Sequence, residues 1–76
     1  MPDPPLISTD EAIVVFAVFG WELARRESSH ISLKKSGVFY CLTLPDKREV
    51  PRGTLRQAIR KAGLSVEEFN AAWRAL

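Results

Sequence analysis

"HISLKKSGVFYCLTL", residues 30–44, decides how the chain reads. In its first half, Ile31 and Leu33 alternate with His30, Ser32 and Lys34, the period-two pattern of a strand with one face buried. Ser36 and Gly37 suit a tight hairpin turn. The second half, "VFYCLTL" (38–44), is an apolar run that reads as the most buried strand of the chain. In that setting Cys41 is expected to pack as a small hydrophobe.

Upstream of this hairpin, "WELARR" (21–26) also alternates, with Trp21, Leu23 and Arg25 expected on one face. Before it comes a helix from about residue 9 to 19. Ser8 and Glu11 form a capping box, and Asp10 adds negative charge to the first turn. Gly20 suits the left-handed residue that ends a helix. This segment is apolar almost all round, so the helix is expected to be covered on more than one side.

Downstream, Pro45 and Pro51 hold residues 44–53 as a loop. "TLRQAIRKAG" then reads as a helix starting with a capping box of Thr54 and Gln57. Leu55, Ala58, Ile59 and Ala62 form its apolar stripe. Gly63 ends it, with Leu64 returning to Ile59 in a Schellman arrangement. "SVEEFNAAWRAL" is a third helix, capped by Ser65 and Glu68, with Val66, Phe69, Ala72, Trp73 and Leu76 on its apolar face.

The element order is therefore α-β-β-β-α-α. Three antiparallel strands need one face covered by helices, and the other face is free to meet a ligand. This α+β order is that of double-stranded-RNA-binding domains, so a domain of that kind with a three-stranded antiparallel sheet is expected. The 76 residues suffice for one small domain, 1–76, with the proline-rich residues 1–7 as a loose tail.

Composition narrows the function. The hydrophobic fraction of 46% suits a folded chain rather than a disordered one. One cysteine excludes an internal disulfide framework and a cysteine metal cage, which fits a reducing cytoplasm. The longest apolar run, residues 12–19, falls far short of the ~20 residues that span a bilayer, so no membrane partner is expected. "MPDPPLISTD" lacks the basic start of a signal peptide. Net charge is only +2, but its distribution says more. Lys34, Lys35, Lys47, Arg48, Arg52, Arg56, Arg60 and Lys61 crowd residues 34–61, against Asp46 and Glu49 alone.

The one histidine, His30, is the residue with chemical potential. It begins the middle strand on the polar face with Ser32 and Lys34, near Arg25 and Arg26 across a short turn. An imidazole, whose ordinary pKa is about 6.5, can take a proton from a ribose 2′-OH or give one to a leaving 5′-oxygen. Nearby cations can hold the phosphate and offset its developing charge. One histidine without clustered carboxylates or thiolates makes a poor metal site, so neither metal nor cofactor is expected. Arg52, Arg56 and Arg60, four apart, form a helical stripe able to follow a phosphate backbone or simply to face solvent. Ser28 and Ser29 cap the turn rather than supply a nucleophile. From spacing alone, His30 reads first as a half-exposed polar strand residue and only second as a catalyst.

Two blocks carry a family likeness: "FGWELARRESSHISLKK" (19–35) and "VPRGTLRQAIRKAGLSVEEF" (50–69). Over roughly residues 8–71 the chain resembles the HicA family of toxin–antitoxin mRNA interferases. The family typically shows a Gly-Trp or Gly-Phe pair, a G-S-H or G-G-H turn, G-T-L-R and A-G-L-S-x-E-E-F. The resemblance implies a double-stranded-RNA-binding-like fold and metal-independent cleavage of mRNA. It assigns catalysis to His30 and implies a HicB-like antitoxin that blocks the site. Arg26, Lys34, Lys35, Lys47, Arg52, Arg56 and Arg60 are the RNA-binding candidates that accompany it. Two positions depart from the pattern: Ser28 stands where Gly is usual, and Lys47 where a second histidine is often found. A non-catalytic RNA-binding module and a degenerate toxin that only captures an antitoxin remain alternatives.

Overall fold

The computed structural model describes residues 2–76. The elements run α1 (Thr9–Val18), β1 (Trp21–Arg26), β2 (His30–Lys35), β3 (Leu42–Pro45), α2 (Arg52–Lys61) and α3 (Val66–Arg74). The three strands form one antiparallel sheet in the order β1-β2-β3. This is the α+β arrangement that the element order implies. α1 packs on β1, α2 on β3, and α3 on both helices. Ile31, Leu33, Leu42, Leu44 and Trp21 point into the core, where they meet Val15, Phe16, Leu55, Ile59 and Phe69. His30 and Lys34 are exposed and Ser32 half-buried, on the opposite face of β2.

The helix ends follow local chemistry. Ser8 and Ser65 each close a capping box with Glu11 and Glu68. At α3 the Ser65 hydroxyl accepts from the Glu68 N–H at 3.0 Å, while the Ser65 N–H donates to the Glu68 carboxylate at 2.9 Å. Losing the hydroxyl orphans a helix N–H, so Ser65→Ala is expected to destabilise the domain by about 1 kcal/mol, read as a lower urea midpoint at unchanged slope. Gly63 (φ +80) ends α2. Its N–H donates to the Arg60 carbonyl at 3.0 Å and the Leu64 N–H to the Ile59 carbonyl at 3.1 Å, the Schellman pair.

Several expectations need correction. The second strand of the hairpin is Leu42–Pro45, not 38–44. His30 pairs with Pro45 and Leu33 with Leu42. Ser36 and Gly37 do form the expected turn, with Gly37 at φ +83 and the Val38 N–H donating to the Lys35 carbonyl at 3.1 Å, but the ladder does not start at Lys35 and Val38 as a two-residue hairpin would require. The observed register is displaced by two residues, which keeps Leu42 and Leu44 inward and expels the intervening residues. Phe39 is fully exposed, Tyr40 is 45% exposed, and Cys41 is an exposed free thiol rather than a core residue. The displaced loop is held through Tyr40, by α2 and by β1. The Tyr40 hydroxyl donates to the Lys61 carbonyl at 2.8 Å, and its ring lies 6.0 Å from that of Trp21.

β1 does not alternate throughout. Its register shifts between Leu23 and Arg25, so Leu23 opposes Leu33 while Arg25 opposes Ser32 on the other face. Ala24 is the extra residue of a bulge, and this separates Arg25 from Trp21 and Leu23. α2 begins earlier than Thr54: Pro51 is its N-cap and no side chain caps it. The Leu55 N–H donates to the Pro51 carbonyl at 2.9 Å, which places Thr54 inside the first turn. α1 is covered on one side only, because α3 and the sheet bury Ala12, Val15 and Phe16 but leave Val14 and Val18 more than half exposed. Leu76 lies beyond the end of α3 and is exposed.

The expected loose tail is docked over its described part; Met1 lies outside the described residues. Ile7 is 2% exposed and accepts from the Val50 N–H at 2.9 Å, and Pro4 is buried. Asp3 pairs with Arg56, and its carbonyl accepts from Asn70 at 3.0 Å. Apolar burial of Ile7 together with these polar contacts outweighs the mobility that the prolines suggested.

Candidate active site

His30 opens β2 directly after a two-residue turn, Ser28-Ser29, which the Glu27 N–H closes by donating to the His30 carbonyl at 2.8 Å. Among the described residues positive φ occurs only at glycines, so Ser28 sits in this turn without the strain a left-handed residue would bear. The imidazole is exposed, and its Nδ1 lies 3.0 Å from the Ser29 hydroxyl. That contact orients the ring. It serves either tautomer, since Nδ1 can donate to the Ser29 hydroxyl or accept from it. Nε2 enters no hydrogen bond among the described residues. Ser29 was not among the sequence candidates; its adjacency to His30 was the available signal.

The end of the sheet at His30 is tied to three other segments. The Asp46 N–H donates to the Ser29 carbonyl at 3.0 Å, joining the turn to the loop after β3. Thr9, buried at the start of α1, accepts at its hydroxyl from the Lys47 N–H at 2.8 Å and donates to the Pro45 carbonyl at 2.6 Å. The Thr9 N–H donates to the Lys47 carbonyl at 3.0 Å. The backbone of Lys47 is therefore held by α1, while its side chain is exposed.

Arg26 is adjacent in sequence to Arg25 but has the opposite placement. It opposes Ile31, on the helical side of the sheet. Its guanidinium bridges Asp10 and Asp46, at 2.9 Å to each. Hydrogen bonding to Asp10 raises its already high pKa; the charges of Asp46 and Asp10 act the same way, against a lowering by burial. Two carboxylates thus engage the charge that the sequence offered to RNA.

The other candidates divide between the two faces. Lys34 is exposed on the open face with His30, opposite Glu22. Lys35 is half-buried, with its stem near Gly20. Arg52, Arg56 and Arg60 lie on α2, which covers the other side of the sheet. Arg52 donates to the Pro4 carbonyl at 3.2 Å and Arg56 pairs with Asp3, so the amino-terminal segment occupies part of this stripe. Among the described residues Lys34, Lys35, Lys47 and Lys61 form no ion pair, whereas Arg25, Arg26 and Arg56 do. The structure therefore groups His30 with Lys34 on one face, places Lys47 at the same end of the sheet, and separates them from the arginine stripe.

Among the described residues no helix is long and apolar enough to cross a membrane. A search of curated proteins found no match. A family model described as HicA toxin of bacterial toxin–antitoxin matches residues 9–64. That span runs from the first residue of α1 through the Schellman end of α2, and it contains His30, Lys34 and Lys47. By this match over well more than half its length, the chain belongs to the HicA family of toxins of bacterial toxin–antitoxin systems.

Proposed function

We propose that this chain is an endoribonuclease that cleaves mRNA in the cytoplasm, with His30 as its general acid/base and a HicB-like antitoxin covering the His30 face. The supporting observation is an exposed imidazole held at Nδ1 by Ser29, on an open sheet face that also carries Lys34, which forms no ion pair among the described residues. A chain of only 76 residues offers this open surface in place of a deep pocket.

The reaction needs no group from outside the RNA other than a proton carrier. When His30 Nδ1–H is donated to Ser29, Nε2 is bare and takes the proton of the ribose 2′-OH. The 2′-oxygen bonds to phosphorus as the bond to the 5′-oxygen breaks. The leaving oxygen takes a proton from the imidazolium or from water. The products are a 2′,3′-cyclic phosphate and a 5′-hydroxyl. Lys34 and Lys47 hold the phosphate and offset its growing charge. Lys47, standing where a second histidine is common, offers the phosphate a positive charge.

The test is incubation of the purified protein with an unstructured RNA, followed by analysis of the new ends. Cleavage with 2′,3′-cyclic phosphate and 5′-hydroxyl termini is expected, and no cleavage when the nucleotide at the cut carries a 2′-O-methyl group. RNA that binds with steep salt dependence yet is recovered intact would select a binding module instead.

A further inference from the structure

Phe39 is a large apolar side chain with its whole surface in water (relative exposure 104%), and it stands on a loop that is held in place. The Val38 N–H donates to the Lys35 carbonyl at 3.1 Å on one side of it. On the other side Tyr40 donates to the Lys61 carbonyl and rests against Trp21. Lys61 lies over the Tyr40 ring, its ammonium 5.7 Å from the centroid. The flanking residues thus anchor the loop, and Phe39 alone contributes nothing to the core.

The surroundings suit a nucleic acid. Lys34, Lys35 and Lys61 form no ion pair among the described residues; Lys34 is on the open face near the end of β2, half-buried Lys35 ends that strand opposite Trp21, and Lys61 ends α2 over the Tyr40 ring. The loop leaves β2 at the end opposite His30. The six-residue strand His30–Lys35 separates the two by roughly 17 Å at about 3.3 Å per residue. Lys34 lies between them on the His30 face. A single strand running along β2 from the imidazole passes Lys34 on the open face and reaches the end of the sheet from which the Phe39 loop projects. An exposed aromatic beside unpaired cations is what single-strand binders use: the ring stacks on a base of any identity while the cations follow the backbone.

We propose that Phe39 is a stacking platform for an unpaired base of single-stranded RNA, a few nucleotides from the phosphate at His30. This rests on the ribonuclease reading and adds to it a substrate class and a direction along β2. The orientation predicts that an RNA held in a duplex, whose bases are already stacked, is a poorer ligand than the same sequence unpaired.

The experiment measures binding of a fluorescein-labelled oligouridylate to the His30→Ala protein, with and without a second change at Phe39. Alanine is expected to weaken binding about 5- to 150-fold, the equivalent of the ~1–3 kcal/mol that one stacked base contributes. Phe39→Trp is expected to keep the affinity, and the added indole emission to be quenched by RNA. Because Phe39 is fully exposed, circular dichroism and thermal midpoint should not change in either variant. Equal affinities of the Phe39→Ala and parent proteins would overturn the proposal while leaving the ribonuclease reading intact, and would assign the ring to a protein partner. Absence of any RNA affinity in the parent would overturn both.

Discussion

His30→Ala is expected to abolish growth arrest on expression and RNA cleavage in vitro, with no loss of folding. A positioned proton carrier contributes about 10²–10⁴-fold in rate, and no second histidine exists to substitute for it. The ring is exposed and outside the core, so the variant should unfold at the parent temperature. That separation makes the experiment decisive: lost activity from a stable protein isolates the chemistry. His30→Gln offers a second reading, since it keeps a polar group of similar reach but cannot shuttle a proton at neutral pH. It should be as inactive as the alanine variant. Undiminished toxicity of either variant would remove His30 from the mechanism and turn attention to Lys47.

Phe16→Ala is expected to unfold the domain or nearly so. Phe16 on α1 and Phe69 on α3 are both fully buried, with ring centroids 5.1 Å apart and planes tilted by 58°. The tilted geometry is a favourable one for aromatic pairs. Phe69 is also the one fully buried residue of α3, so this contact is central to docking that helix. Removing a buried phenylalanine side chain costs about 3–5 kcal/mol. A domain of this size has a total stability near the low end of 5–15 kcal/mol. The thermal midpoint should fall by roughly 12–40 °C, at about 4–8 °C per kcal/mol for so short a chain. Phe16→Leu keeps part of the buried apolar surface but loses the ring pair with Phe69, and should cost less than the alanine change. A midpoint within a few degrees of the parent for Phe16→Ala would show that α3 is held by other contacts.

Much of this architecture is written locally. The capping boxes Ser8/Glu11 and Ser65/Glu68 involve residues three apart, and Gly63 with Leu64 ends α2 through bonds that reach only to Arg60 and Ile59. Such features depend on neighbours in sequence and are legible there. The same holds for β2, where the alternation of Ile31 and Leu33 with His30, Ser32 and Lys34 assigns the faces. Of the site, His30 and Lys34 could be placed together on one face from that alternation. Ser29 reads from the sequence only as a turn residue, because its partner is a ring nitrogen whose orientation no pattern reveals.

The misread elements have partners distant in the chain. Arg26 seemed a free cation beside a polar strand; its partners are Asp10 and Asp46, 16 and 20 positions away. The amino-terminal segment seemed loose; it is held by Val50, Arg52, Arg56 and Asn70. Cys41 and Phe39 seemed buried because the apolar run 38–44 looked like one strand.

The sequence by itself determined the order of the elements, the capping boxes of α1 and α3 and the face on which His30 stands, because each depends on residue spacing of a few positions. Only the tertiary structure decided the register of β3, and with it the exposure of Phe39. Alternation repeats every two residues, so registers two apart bury the same Leu42 and Leu44 and are indistinguishable from within the strand. The choice fell to Tyr40, whose hydrogen bond to Lys61 and contact with Trp21 reach about 20 residues along the chain in either direction.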